Sequence, residues 1–214
     1  MLFRSPENRE RFVSGIPTVP PKKKDSMPIY LLFLQHIIFS LSSKGKAAIV
    51  VPTSFLTAEA EIPFLIRKVI VDKKILVGID SMPSNIFATT GTNVSVLFLD
   101  KSKEKDEVVL MDASNLGTIV KEGRSQKTLL TDEDEDLIIT SFNTKKNIEH
   151  FSHVVKLEKI ISNNYSLGAS QYAAAWDPSA ITRKSNSSFT DETFDSQIQV
   201  LLDRKSEALK REED

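Results

Sequence analysis

The stretch Gly45–Pro52 reads GKAAIVVP, and its neighbours make it the key to the fold. Ala47–Val51 is an unbroken apolar run of strand length. Gly45, just before it, is suited to ending a helix. An apolar, helix-like run, Ile29–Leu41, precedes this strand. A second helix-like segment, Ile62–Val71, and a second short strand, Ile75–Asp80, follow it. A strand apolar on both faces belongs in a sheet covered by helices on both sides. The next strand, Val94–Asp100 (VSVLFLD), comes after only the loop Ser81–Asn93. That loop is too short for a helical crossover, so the strand is predicted to run antiparallel to its predecessor. The fold class is α/β, with parallel strands finished by an antiparallel hairpin.

Working outward, residues 1–27 are polar, with Lys22–Lys24 and several prolines, and read as a loop or arm. Pro28 suits the first turn of the helix that follows. Glu59–Asp72 carries Ile62, Leu65, Ile66, Val69 and Ile70 at helical spacing, with Pro63 tolerable only in the first turn. Residues 28–112 therefore form the α/β part. An extension, 113–188, is expected to hold loops and short helices. Lys101–Glu107 reads as a charged turn, Val108–Met111 as a short edge strand and Asn115–Gln126 as a loop. Thr131 with Asp134 approximates a capping box for a helix to about Phe142. Phe151–Asn163 begins extended and becomes helical. Residues 189–214 end in an amphipathic helix, Thr193–Arg211, with Phe194, Ile198, Leu201, Leu202 and Leu209 on one stripe.

Composition sets bounds. The 214 residues suit one domain with an appendage, and 40% hydrophobic content is enough for a core. The absence of cysteine excludes a disulfide scaffold and thiolate metal sites, and fits a cytoplasmic location. A net charge of −1 gives no global basic signature for nucleic acid, though a local patch still binds phosphates. Met1–Glu10 is polar and charged, unlike a signal peptide. Ile29–Leu41 is shorter than the roughly 20 apolar residues of a bilayer span, so no membrane contact is expected.

Two runs carry a family resemblance: PIYLLFLQHIIFSLSSKGKAAIVVPTSFL (Pro28–Leu56) and MPSNIFATTGTNVSVLFLDK (Met82–Lys101). They resemble the adenine-N6 DNA methylases, and more narrowly the modification subunit of type I restriction-modification systems. VVLMDAS (Val108–Ser114), GRSQKTLLTDEDEDLI (Gly123–Ile138) and LEKIISNNYSLGASQYA (Leu157–Ala173) resemble later segments of that subunit. The resemblance implies the C-terminal half of a Rossmann-like methyltransferase sheet with a mainly helical C-terminal extension. The complete enzyme would transfer a methyl group from S-adenosylmethionine to adenine N6. The family's glycine-rich cofactor turn and its Asn-Pro-Pro-aromatic motif are absent from this sequence. It has seven glycines, none in a rich turn after a predicted strand, and Val19-Pro20-Pro21-Lys22 lacks the asparagine and the aromatic. No catalytic residue, cofactor site or activity is expected of this chain alone. The resemblance places Arg4–Asp25 in the loop after the missing motif.

Phe87 is the sharpest candidate. In the resembled enzymes an aromatic in the loop before the last strand stacks on the extruded target base, which needs an apolar face to replace its lost neighbours. The bland alternative is a cap on the core at the strand ends. Thr89, Thr90, Gly91, Thr92 and Asn93 continue that loop as DNA-contact candidates, and solvated loop chemistry explains them equally well. Lys22, Lys23 and Lys24, and also Lys73–Lys74, suit phosphate contacts, with plain solvated surface as the default. Pro52 ends a strand where α/β proteins bind ligands. His36 reads as a packed or helix-facing histidine, and His150 and His153 lack carboxylates at ligand spacing, so no metal site is proposed. Asp132–Asp136 already complements a helix dipole. Tyr165, Tyr172 and Trp176 either dock a partner or pin their segment to the core.

The resemblance implies as partners the N-terminal half of the methylase, a specificity subunit, a restriction subunit indirectly, and DNA. Phe194, Ile198, Leu201 and Leu202 are the candidates for docking the specificity subunit. An unpaired edge at Ala47–Val51 would also allow self-association. Two other readings stay open: a non-catalytic interaction module, and an unrelated small α/β protein.

Overall fold

The computed structural model describes residues 9–87, 92–123 and 125–172. The chain divides into two units, Met1–Ala173 and Ala174–Asp214, and the fold below is that of the first. The expected final helix, with Phe194, Ile198, Leu201 and Leu202, lies outside the described residues, as does Trp176.

A helical turn at Pro21–Ser26 leads into α1 (Tyr30–Ser40). Then follow β1 (Lys46–Pro52), a single turn at Thr53–Leu56, α2 (Glu61–Asp72), β2 (Leu76–Ser81) and β3 (Val94–Asp100). The expected helix, strand, helix, strand, strand order is present, with Pro63 in the first turn of α2. Gly45 does not cap α1, which ends at Ser40. It closes the next turn, donating its N–H to the Ser42 carbonyl at 3.0 Å. A Cβ there would meet the Ser42 nitrogen at 2.9 Å, and that crowding requires glycine.

The sheet order is β1-β3-β2-β4-β7, with β4 (Glu107–Asp112) and β7 (Ser152–Lys156) supplied by the later sequence. β3 runs antiparallel to both β1 and β2, as expected from the short loop, so β1 and β2 point the same way. β4 lies parallel to β2 and antiparallel to β7. The expected edge strand Val108–Met111 is thus an interior strand. Its residues Val108, Val109, Leu110 and Met111 are all buried, which an edge position would not allow. Asn115–Gln126, expected as a loop, is largely strand: β5 (Thr118–Glu122) and β6 (Ser125–Leu129) form a separate hairpin. Gly123, with φ 63°, marks the end of β5 rather than a break in structure. Among its described residues, the extension contributes β5, β6 and β7 beside α3 (Asp132–Thr144) and α4 (Leu157–Ser162), strands where loops and short helices were expected.

One face of the sheet packs under α1, α2 and α4. Leu34, Ile38, Ile66, Ile70 and Ile160 meet Ile49, Val51, Leu97, Leu99 and Leu110 there. Burying each such side chain contributes about 1.5–3 kcal/mol. The other face is covered by α3, whose Ile138 and Phe142 pack on Val109 and Met111. Gly78 in β2 makes room for this, since a Cβ there would lie 2.6 Å from the Phe142 ring. Both faces of β1 were expected to be covered, but Val50 is 48% exposed on its α3-side face. β1 is also one edge of the sheet, with β3 alone beside it among the described residues. No helix among the described residues is long and apolar enough to cross a membrane.

Candidate nucleic-acid interface

The carboxyl ends of β1, β2 and β4 share one end of the sheet with the start of β3, and a cleft of about 350 Å³ opens there. Thr53, Ser54, Ser81, Asn93, Asp112 and Ser170 are among its walls. Three hydroxyls link its floor. Thr53 Oγ1 and Ser95 Oγ lie 3.0 Å apart, and Ser95 Oγ reaches Ser81 Oγ at 3.2 Å. Asp112 accepts the Ser114 N–H at 3.1 Å. Among the described residues the lining has no lysine or arginine, so it suits neutral hydrogen-bonding groups better than phosphates. A larger hollow, about 650 Å³, sits at the opposite end of β2 and β4. There Lys74 is held by Asp106 at 3.0 Å, so this lysine is already paired and far from the cleft.

The loop from β2 to β3 rises beside the cleft. Met82 N–H donates to the Val94 carbonyl at 3.0 Å, and Thr53 N–H to the Asn93 carbonyl at 2.9 Å. Together they close the base of the loop. Phe87 stands on it 49% exposed, so it is not a cap sealed into the core. Asn93 is exposed as well, while Thr89, Thr90 and Gly91 lie outside the described residues. Lys22 and Lys23 are exposed in the Pro21–Ser26 turn; the Lys24 side chain is not described. Tyr30 sets its ring edge-on to Phe55, with centroids 6.3 Å apart. This brings the start of α1 to the turn that follows β1.

The rim is fastened by a residue that the sequence reading did not single out. Arg67, only 2% exposed, donates Nε to the Tyr165 carbonyl (2.9 Å), one terminal nitrogen to the Phe55 carbonyl (2.8 Å) and the other to the Ala58 carbonyl (2.8 Å). Its guanidinium also lies over the rings of Phe55 and Phe64. Burial lowers its affinity for the proton, and the carbonyl dipoles hold the charge. A signal was present: Pro63, Arg67, Ile70 and Val71 share the buried face of α2. Tyr165 belongs to its own core, with its ring against Phe64 and its hydroxyl accepting from Lys68 at 2.8 Å. Tyr172 donates its hydroxyl to the Ser166 carbonyl. The Asn163–Gly168 segment is therefore pinned to the sheet unit.

Asp80, on β2, is 2% exposed and its Oδ1 has no hydrogen-bond partner among the described residues. Burial pushes its carboxyl up to about 6; the Ala113 N–H opposes this and the Asp112 charge adds to it. His36 is solvent-facing, with Nδ1 3.3 Å from Ser40 Oγ. No cluster of metal-ligating side chains occurs among the described residues.

This geometry has counterparts. The family model described as N-6 DNA methylase matches residues 4–180. The chain belongs to that family. It is 32% identical over 163 residues to the type I restriction enzyme MpnII methylase subunit of Mycoplasma pneumoniae, covering 76% of this chain and 28% of the relative. The HindI methylase subunit of Haemophilus influenzae is 25% identical over 146 residues, 65% of this chain and 32% of the relative. The crystal structure of a type I methyltransferase subunit from Streptococcus thermophilus superposes with a TM-score of 0.64 and 26% identity, covering 79% of this chain and 35% of that one. This N-6 DNA methylase chain thus spans about a third or less of the length of these curated relatives. The resemblance drawn from the Pro28–Leu56 and Met82–Lys101 runs stands, and so does the α/β methyltransferase-like fold.

Proposed function

We propose that this chain is the target-base side of a type I DNA adenine-N6 methyltransferase, completed by an N-terminal part that binds S-adenosylmethionine and carries the catalytic carbonyls. The observation that carries this reading is Phe87, a half-exposed aromatic on the β2–β3 loop beside a cleft at the carboxyl ends of three parallel strands. An extruded adenine needs an apolar face to stack on and neutral polar groups at its edge. The ring and the hydroxyl-lined cleft offer both. Lys22 and Lys23 and the β2–β3 loop, Thr89, Thr90, Gly91 and Asn93 included, would meet the DNA backbone.

The open β1 edge and the exposed Val50 are where the N-terminal part would continue the sheet. The specificity subunit would dock on the Phe194, Ile198, Leu201 and Leu202 stripe, and the restriction subunit would join through the assembled methylase, in the cytoplasm. The partition into an arm (1–27), a partial methyltransferase domain (28–112), an extension (113–188) and a docking helix (189–214) follows from the same reading.

A second reading, an interaction module without catalysis, is favoured for the chain alone by the missing glycine-rich turn and Asn-Pro-Pro-aromatic motif. Calorimetric titration of the chain with S-adenosylmethionine is expected to show no saturable binding. In the enzyme reconstituted with the N-terminal part, Phe87→Ala should slow methylation and leave cofactor affinity intact. Stacking on an aromatic is worth about 1–3 kcal/mol per base, so the expected loss is roughly 5- to 150-fold. An Ala variant that methylates at the normal rate would remove Phe87 from the site.

A further inference from the structure

The hairpin β5–β6 is hydrogen-bonded to the loop that carries Phe87 through Thr128. Thr128, 3% exposed, donates its N–H to the Asn85 carbonyl at 3.0 Å and its Oγ1 hydroxyl to the Ser84 carbonyl at 2.5 Å. Both acceptors sit in the turn just before Phe87, where Asn85 adopts a left-handed conformation (φ 55°). Gly117, at the foot of β5, has φ +81°, and a Cβ there would fall 2.7 Å from both Thr128 Cγ2 and the Leu129 carbonyl. The hairpin therefore closes tightly around Thr128 and aims it at the loop. Inside the loop base, the Met82–Val94 and Thr53–Asn93 bonds fix the two ends of the segment but not its crest. Thr128 supplies the outer hold.

We propose that Thr128 is a positioning residue: through its two bonds to Ser84 and Asn85 it sets the loop so that the Phe87 ring meets the extruded adenine. The hairpin then belongs to the target-base site although it lies outside the main sheet. This rests on the reading of Phe87 as the stacking aromatic. A free loop would let the ring sample many orientations, and each unproductive one reduces the fraction of enzyme competent to hold the base. The hydroxyl is the replaceable half of the clamp, since the N–H bond survives substitution.

The test uses Thr128→Val, which keeps the side-chain volume and removes the hydroxyl, with Thr128→Ser as the conservative rescue. In the isolated chain, amide hydrogen exchange is followed at residues 82–87. In the reconstituted methylase, KM for DNA, kcat and the fluorescence of 2-aminopurine at the target position are measured. One net hydrogen bond predicts about tenfold faster exchange at Ser84–Phe87 in the valine variant, with β1 and α2 unchanged. KM for DNA should rise several-fold, KM for S-adenosylmethionine should stay, and the 2-aminopurine signal should fall. The serine variant should restore all three. Exchange and fluorescence in the valine variant equal to wild type would overturn the clamp. Phe87→Ala separates the two claims. If it methylates normally while Thr128→Val does not, the loop is positioned by Thr128 but the ring is not what it positions, and the stacking reading fails.

Discussion

Arg67 holds three carbonyls from parts of the chain far apart in sequence, at Phe55, Ala58 and Tyr165. A lysine at 67 can serve one of them. The other two would lose their donors in a dry site, at about 1–3 kcal/mol each. Arg67→Lys is therefore expected to destabilise the chain by about 3 kcal/mol in urea titration. A shift in stability below ~0.5 kcal/mol would mean that water satisfies those carbonyls. Asp80 makes the opposite prediction, because its carboxyl is held above its ordinary value of 3.8, at about 6. The folded chain binds this proton more tightly than the unfolded chain. The penalty is absent well below the unfolded value, grows as pH rises through the window between the two values, and persists above it. A shift of about two units corresponds to about 3 kcal/mol. Asp80→Asn should raise stability at pH 7.5, match wild type near pH 3, and flatten the pH profile between. A profile as steep in the variant as in wild type would assign the titration to another group.

Among the elements, α3 offers the cleanest single-residue test. Thr131 Oγ1 accepts the Asp134 N–H at 3.2 Å, and Asp134 Oδ2 accepts the Thr131 N–H at 3.0 Å, a reciprocal capping box. Thr131→Ala should cost about 1 kcal/mol, read as a lower melting temperature. An unchanged melting temperature would show that the acidic first turn alone secures the helix. This box was legible in the sequence because its two bonds are local. So were α1, α2, β1, β2 and β3, whose apolar spacing is dictated by a single buried face or by a length too short to be anything else. The β5–β6 hairpin was not legible. Lys121, Gln126 and Lys127 carry none of the apolar alternation that marks a strand, and its main-chain pairing satisfies itself. The interior place of β4 was hidden for a related reason: its parallel partner β2 is remote in sequence, and only the later β7 covers its other edge.

At the scale of the molecule, the site divides in the same way. Phe87 and Asn93 are candidates that a linear run of sequence suggests, whereas Thr53, Ser81 and Ser95 meet only because the ends of β1 and β2 come beside the start of β3. Arg67 and Thr128 act across long separations that no spacing rule captures. The open edge of β1, with Val50 48% exposed, predicts that the isolated chain self-associates with rising concentration in light scattering. Val50→Lys should reduce that association and leave the melting temperature unchanged. A chain that stays monomeric at high concentration would mean the edge is already blunted. The strand order also bears on synthesis. β1 pairs with β3, from which it is separated by all of α2 and β2. A ribosome adding ~5–20 residues per second delivers β3 several seconds after β1 has emerged. For that interval Ala47–Val51 is an apolar ribbon with no downstream neighbour. The sequence most decisive for the fold is thus also the segment that nascent-chain binders would find first.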